Sequence, residues 1–401
     1  MVELKGKYNS AKVFTDNVDT ATIDQLSTLL NQEFITGSQI RIMPDTHAGA
    51  GCVIGTTMTL TDKVCPNLVG VDIGCGMLAV KLEEKRIDFQ ELDSVINKYV
   101  PSGFNIHDEA IAHSNVDSVI ADIDYDKSQK SLGTLGGGNH FIEVDKDEDN
   151  NLWLVVHSGS RHLGIEVCEY YQKLAYETLK SSTLDDIKEL RNALIERLKA
   201  EGNQKLISQE LQKLNDAYKE ATINTPKELA YVEGDNFKNY IHDMRLVQEH
   251  AKINRRTMVN LILSKAGLHE VESFDTIHNY IDTDAMILRK GSISAKTGER
   301  VIIPMNMRDG SLICIGKGNP DWNYSAPHGA GRIMSRNEAF KNLTLSTFQE
   351  SMKDIFSTSV CNETLDEAPQ VYKPMEEIME NIKDTVEIVS IIKPIYNFKA
   401  H

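Results

Sequence analysis

No run of apolar residues in this chain reaches the roughly 18 positions a membrane-spanning helix needs. The opening stretch MVELKGKYNSAKVF lacks the apolar segment of a secretory leader. Both absences lead us to expect a cytoplasmic protein with no membrane partner. Paired CxxC motifs are missing as well. The six cysteines (Cys52, Cys65, Cys75, Cys168, Cys314 and Cys361) show no small-domain disulfide framework, so most are expected as buried core thiols. Nor does any Gly/Ser linker, low-complexity tract or repeat of about 20–50 residues divide the chain. An excess of basic residues is also lacking: 43 Lys and Arg stand against 59 Asp and Glu, a net charge of −16. That excludes a surface built for non-specific nucleic-acid binding, so any polyanionic substrate has to be held by a local basic patch or by metal ions.

What remains is a chain of globular composition, 41% apolar and 25% charged, long enough to bury a large core. Residues 36–165 alternate strand-like runs (QIRIMPD, HFIEV, NLWLVVHSG) with Gly-rich turns, and HFIEVDKDEDNNLWLVV reads as two strands joined by the polar turn Asp145–Asn151. Residues 86–130 carry helical spacing and polar loops. Between about 165 and 265 apolar residues recur three and four apart. There we expect a two-helix hairpin over STLDD…KEA with a break near 201–203, then a long helix opening on Asp235 or Asn236. Strand character returns from 280, helical character at 333–356 and after the prolines of APQVYKP, and the tail DTVEIVSIIKPIYNFKA ends in strand and coil. We therefore expect one α+β unit over residues 1–401, with a helical arm at about 165–265.

Several Gly-rich turns carry metal-ligand chemistry. VDIGCG sets Asp72 and Cys75 three apart, read as a turn after an apolar strand; a carboxylate and a thiolate at that spacing can meet one cation, or Cys75 can simply be buried. In GGGNHFIEV, His140 enters a strand. The glycines do not form a dinucleotide fingerprint, because no helix follows. VVHSGSR puts His157 at a strand end, followed by hydroxyls and Arg161 that suit a phosphate nest. PDTHAGAG adds Asp45 and His47 in a further turn, and TIHNYI adds His278 and Asn279. His47, His140 and His278 each read alone more readily as structural, whereas the His157 turn reads equally as a polar turn or a phosphate nest. Taken together, Asp72, Cys75, His140, His157 and His278 offer S, N and O donors, mostly at strand ends. They would suit one or two divalent ions, with one thiolate able to bridge a pair. The stretch SAPHGAGRIMSR presents His328 between Pro327 and small residues, with Arg332 and Arg336 just beyond. Either this is a surface loop, or the imidazole is a nucleophile with an open approach and cations at hand.

In order along the chain, PDTHAGAG, GVDIGCG, GGGNHFIE, HSGSR, HNY and HGAGRIMSR resemble the RtcB family of RNA-splicing ligases, from about residue 40 to the C-terminus apart from the helical arm. The resemblance implies an RtcB-like α+β fold whose central β-sheets carry the metal site. It also implies a GTP- and Mn²⁺-dependent ligase that joins an RNA 2′,3′-cyclic phosphate or 3′-phosphate to a 5′-hydroxyl, in RNA repair or tRNA splicing. His328 matches the histidine that is guanylylated. Asp72, Cys75, His140, His157 and His278 match the ligands of two Mn²⁺ ions, with Cys75 shared. The guanylate pocket would draw on Asn139, His140, Phe141, Ile142, Glu143, His278, Asn279, Pro304, Met305, Asn306, Met307, Ser311, His328, Gly329, Ala330, Gly331 and, near the tail, Lys399. Arg161 and Arg332 are matched to RNA phosphates, with Asp45 and His47 in support. An archease-type activating partner is implied by analogy.

The chain departs from the family pattern at PMNMRDGS, residues 304–311, where Asn306 replaces a serine and Arg308–Asp309 replace smaller residues. It departs again at Pro327, at Ala50 where a lysine is common, and in the tail around Lys399. These mark a divergent, bacterial-type branch. Two other readings stay open: a dimetal phosphoesterase or cyclic phosphodiesterase that no longer guanylylates, and a non-enzymatic RNA-end-binding protein.

Overall fold

The computed structural model describes residues 1–218 and 225–400. The fold is α+β, as expected. Two sheets form its frame. One has seven strands in the order Glu270–Ile277, Gly76–Leu82, Leu152–Ser158, Phe141–Lys146, Val386–Lys399, Gly310–Gly316 and Arg300–Asn306, every neighbouring pair antiparallel. The other has six, ordered Val2–Lys5, Ser10–Val13, Ile40–His47, Ile54–Thr59, Ile287–Lys290 and Asn279–Asp282. A short ladder of Ser292–Ser294 with Ser325–Pro327 lies beside them.

The turn at Asp145–Asn151 closes a hairpin between Phe141–Lys146 and Leu152–Ser158, as its sequence predicts. Alternation along these strands separates two faces. Leu78, Val80, Ile142, Val144, Leu154 and Val156 pack on the helix Gly234–Ala266 through Met258, Val259 and Ile262. Met77, Ala79, Phe141, Trp153 and Val155 turn the other way, towards Ile302 and Ile313. Each fully buried aliphatic side chain of this kind contributes about 1.5–3 kcal/mol.

Several boundaries differ from expectation. VDIGCG precedes the strand Gly76–Leu82 rather than following one, because the apolar residues before it (Leu68, Val69) are buried around the short 3₁₀ turn Pro66–Leu68. Asp45 and His47 close the strand Ile40–His47 rather than lying in a turn. The arm's first helix runs unbroken over His162–Ala200, far upstream of the expected start, since Leu163, Val167, Tyr171 and Ala175 bury one face against the main core. It stops where expected, at Glu201–Gly202, with Gly202 at φ +71°. The expected second helix is present over Ile207–Tyr218; the end of that hairpin segment, residues 219–221, lies outside the described residues. The long helix begins at Gly234, one residue early. Residues 333–356 form two short helices, Arg336–Asn342 and Leu345–Ser351, and the tail is one strand through Lys399. No helix among the described residues is long and apolar enough to cross a membrane.

Candidate active site

Antiparallel pairing explains why ligands distant in sequence meet. The starts of Gly76–Leu82 and Phe141–Lys146 and the ends of Leu152–Ser158 and Glu270–Ile277 fall at one edge of the seven-stranded sheet: Gly76 is opposite Ser158 and Ile277, and Phe141 is opposite His157. Cys75, His140, His157 and His278 each sit at or within one residue of those ends. Asp72 reaches the same place from the preceding loop, against Gly159, where even a methyl side chain would lie 2.0 Å from its carboxylate oxygen.

The resulting cluster is tight. Asp72 Oδ2 lies 2.9 Å from His140 Nε2, Cys75 Sγ lies 3.4 Å from His140 Nε2 and 3.3 Å from His157 Nε2, and His157 Nε2 lies 3.1 Å from His278 Nε2. Two trios result, Asp72–Cys75–His140 and Cys75–His157–His278, each with its donor atoms within 4.8 Å of one another. Cys75 belongs to both. The other ring nitrogens of two histidines face backbone carbonyls: His140 Nδ1 is 2.9 Å from Leu135 O, and His157 Nδ1 is 3.1 Å from Asn139 O. A carbonyl only accepts, so Nδ1 carries a proton in both rings, and Nε2 is the nitrogen that would turn its lone pair to a bound cation, as in metal-ligating histidines. His278 Nδ1 is buried without a partner among the described residues.

The electrostatics agree with a cation site. Burial pushes His157 and His278 well below the usual histidine range, with neighbouring imidazoles adding to it, so both are neutral ligands near pH 7. Burial opposes charge on Asp72, but His140 and Arg161 outweigh it and hold the carboxyl near about 2. Burial and Asp72 drive the Cys75 thiol far up, so only a bound cation would make it a thiolate. The donor set (one S, three N, one O) fits a pair of borderline divalent ions.

His328 stands next to this cluster through the short ladder. Ser292 pairs with Pro327 and donates its N–H to His278 O at 3.2 Å, which sets the His278 and His328 rings 4.7 Å apart. The buried Asp45 accepts from His328 Nδ1 at 2.7 Å and from the backbone N–H groups of His328 and Gly329 at 3.1 and 3.2 Å. The proton is thereby fixed on Nδ1 and Nε2 is left without a bond to Asp45. His47, held neutral by burial, hydrogen-bonds the Asp45 backbone carbonyl.

A cavity of about 940 Å³ is lined by His157, His278 and His328 together with Lys399 and Glu367. Its residues come from the same turns whose sequences resemble RtcB. The sequence matches the family described as "tRNA-splicing ligase RtcB" over residues 25–124 and 106–400. The chain belongs to the RtcB family. It is 28% identical to the RNA-splicing ligase RtcB of Escherichia coli K12, over 90% of each chain. It is 24% identical to the tRNA-splicing ligase RtcB of Aeropyrum pernix, over 84% of this chain and 83% of that one. It is 26% identical to RNA-splicing ligase RtcB homolog 1 of Entamoeba dispar, over 89% and 78%.

The RtcB cavity gathers most of the residues expected around a guanylate. Asn139, Phe141, Glu143, His278, Pro304 to Met307, His328 to Gly331 and Lys399 line it, as does Arg332. Ile142 does not: on the opposite side of its strand, it packs in the core. His140, Asn279 and Ser311 lie outside the lining as well. Asn279 instead accepts from Gly291 N–H at 2.8 Å, and the Ser311 hydroxyl is buried without a partner among the described residues. The departure at Asn306 has a local cause, since its side chain caps the 306–309 turn, bonding Asp309 Oδ2 and the N–H groups of Arg308 and Asp309. Arg161 faces away from the cavity, donating to Thr134 Oγ1 and Gly103 O at 3.1 Å each.

Sequence reading missed several residues packed against the site. Glu367 accepts from Lys399 Nζ at 2.7 Å and Tyr372 Oη at 2.8 Å and pairs with Arg332 and Arg336, so its carboxyl stays low despite burial. Asn397 donates to Glu143, whose carboxyl burial raises to about 7. Beneath the metal loops, Arg255 donates to Gly74 O at 2.7 Å and Ser158 O at 2.9 Å while paired with Asp275, and Asn254 holds Gly133, Thr134, Ser158 and Gly159. Their one signal was a pair of polar residues on the apolar stripe of a long helix.

Proposed function

We propose that this chain is a GTP- and Mn²⁺-dependent RNA ligase, joining RNA ends that bear a 2′,3′-cyclic phosphate or 3′-phosphate to 5′-hydroxyl ends through a guanylylated His328. The observation that carries the proposal is the placement of His328. Its Nδ1 is locked by Asp45, its ring stands 4.7 Å from His278, and it lines the same cavity as Lys399. The names of the relatives, RNA-splicing and tRNA-splicing ligases, support the same activity.

Asp72, Cys75 and His140 would hold one cation and Cys75, His157 and His278 the other. Bound there, such ions supply neutralisation of phosphate charge and polarisation of phosphoryl oxygens. The protein's own contribution begins with His328. Its Nε2 attacks the α-phosphorus of GTP, the bond to the β-phosphate oxygen breaks, and pyrophosphate leaves. Asp45 stabilises the positive charge that develops on the imidazole by accepting from Nδ1. Phe141, Glu143 and Lys399 line the same cavity, and a base would sit against them. Where the end is a 2′,3′-cyclic phosphate, water first adds to the phosphorus and the bond to the 2′-oxygen breaks, leaving a 2′-hydroxyl and a 3′-phosphate. An RNA 3′-phosphate oxygen then takes the guanylyl group and frees His328. Finally the 5′-hydroxyl attacks that activated 3′-phosphate, forms the phosphodiester and expels GMP.

The test is incubation with Mn²⁺ and α-labelled GTP, with wild type beside His328→Ala and Cys75→Ala. Label should appear on the wild type alone. Label that survives His328→Ala would place the nucleophile elsewhere. Absence of label together with hydrolysis of cyclic phosphate ends would make the protein a dimetal phosphoesterase.

A further inference from the structure

The cavity that holds His328 is lined by four Lys or Arg residues, Arg332, Arg336, Lys373 and Lys399. Three are committed to carboxylates: Arg332 and Lys399 to Glu367, and Arg336 to Asp366 and Glu367. Lys373 differs. It is buried, only 4% exposed, and forms no ion pair among the described residues. Its ammonium donates instead to two backbone carbonyls, Pro44 O at 2.9 Å and Asn17 O at 3.3 Å. Local structure carries it there. Tyr372 has extended backbone, and Pro374 disfavours helical backbone at Lys373. This segment runs antiparallel beside residues 331–333: Arg332 bridges to Tyr372, Ile333 N–H donates to Val371 O at 2.8 Å and Lys373 N–H to Gly331 O at 3.0 Å. Lys373 is thus tied by its backbone to the turn after His328, and by its side chain to Pro44, the residue before Asp45. Those are the two segments that hold the His328 imidazole.

A charge taken out of water without a counter-ion is costly. Burial lowers the Lys373 pKa, and Glu377, Asp45 and Asp19 oppose this only through space. Two carbonyls occupy two of the ammonium's three donors, which leaves one N–H and an uncompensated charge on a residue that lines the cavity. We infer that Lys373 is a phosphate seat, whose ammonium receives a terminal, doubly charged phosphate group inside the His328 cavity. This inference rests on the ligase reading above and adds the residue that recognises that charge. Two reactants of that reading end in such a group, the triphosphate tail of GTP and the RNA 3′-phosphate. GMP keeps only its α-phosphate, and a 3′-hydroxyl strand has no terminal phosphate. A lysine suits this task, being a compact charge with rotatable donors rather than a planar fork.

The test compares binding of four ligands to Mn²⁺-loaded protein carrying His328→Ala, so that no group is transferred: GTP, GMP, and one oligoribonucleotide with a 3′-phosphate or a 3′-hydroxyl. Adding Lys373→Gln should shrink a preference, GTP over GMP or 3′-phosphate over 3′-hydroxyl, by roughly tenfold. Adding Lys373→Arg instead, which keeps the charge, should preserve it. The preference that shrinks names the source of the phosphate; loss of both means that the two groups use the seat in turn. Lys373→Met serves as the neutral variant if the glutamine protein does not fold. Two unchanged preferences, or an equal weakening of all four ligands, would overturn the seat and leave Lys373 a strut beneath Asp45. A wild type that takes no label from GTP, while Lys373→Gln still loses a preference, would overturn the ligase reading and leave the seat standing.

Discussion

Asp45 Oδ2 is shared by three donors of one turn, the His328 ring at 2.7 Å and the N–H groups of His328 and Gly329 at 3.1 and 3.2 Å. The same oxygen thus fixes the imidazole's tautomer, its rotation and the path of the chain beneath it. Asp45→Asn keeps the shape but presents an amide that can donate to Nδ1 and so favours the wrong tautomer. We expect the rate of His328 labelling to fall by about a hundredfold or more with little change in melting temperature. A rate within twofold of wild type would show that Asp45 has no part in orienting the nucleophile.

Cys75 is the atom common to both trios, and the other ligands belong to one each. Loss of Cys75 should therefore empty the site, whereas loss of His278 should spare one ion. Mass-spectrometric metal analysis after Mn²⁺ loading and desalting should give near two equivalents for wild type, about one for His278→Ala and near none for Cys75→Ala. Full loading of Cys75→Ala would refute a bridging thiolate.

Arg255 is fully buried, and its partner Asp275 is partly open to solvent. Arg255→Met leaves two carbonyls and a carboxylate without their donor. The cost should be about 3 kcal/mol in urea unfolding, with weakened Mn²⁺ retention because Gly74 and Ser158 flank the ligands. A stable variant with normal retention would reduce Arg255 to packing alone.

His250, buried with Nδ1 bonded to Ser114 Oγ at 2.7 Å, is pushed by burial and by Arg161 down to about 4. The sign follows from the unfolded chain, which takes up a proton near the ordinary value of about 6.5 while the folded protein does not. The stabilisation is fully present above pH about 6.5 and is lost as pH falls towards 4, by about 3 kcal/mol in all. His250→Gln should flatten that part of the stability–pH curve. An identical slope in the variant would assign the acid sensitivity to other groups.

A net charge of −16 favours an RNA grip confined to the strand ends. The logarithm of binding affinity should fall shallowly with the logarithm of salt concentration. A slope near −6, on the order of eight phosphate contacts to a single strand, would contradict this.

Much of the site is legible in the sequence. Asp72, Cys75, His140, His157, His278 and His328 stand out only when taken together, because side chains able to bind a cation recur in glycine-rich or polar turns near strand ends. The hairpin around Asp145–Asn151 and the stop at Gly202 are equally readable, being set by local turn chemistry. Start positions are harder. The helix His162–Ala200 begins early because its first turns bury Leu163 and Val167, a gain that arises only once the rest of the core exists.

Sequence by itself determined which chemistry this protein carries, since the residue types able to bind cations or attack phosphorus are fixed by covalent structure. Tertiary structure alone decided which of them meet. Antiparallel order brings four strand ends to one edge, and Ser292 sets His328 beside His278. The burial of Asp45, Glu367 and Arg255 turns ordinary polar residues into fixed partners. Those pairings join residues far apart in the chain, and no local propensity encodes a contact whose energy comes from desolvation on both sides.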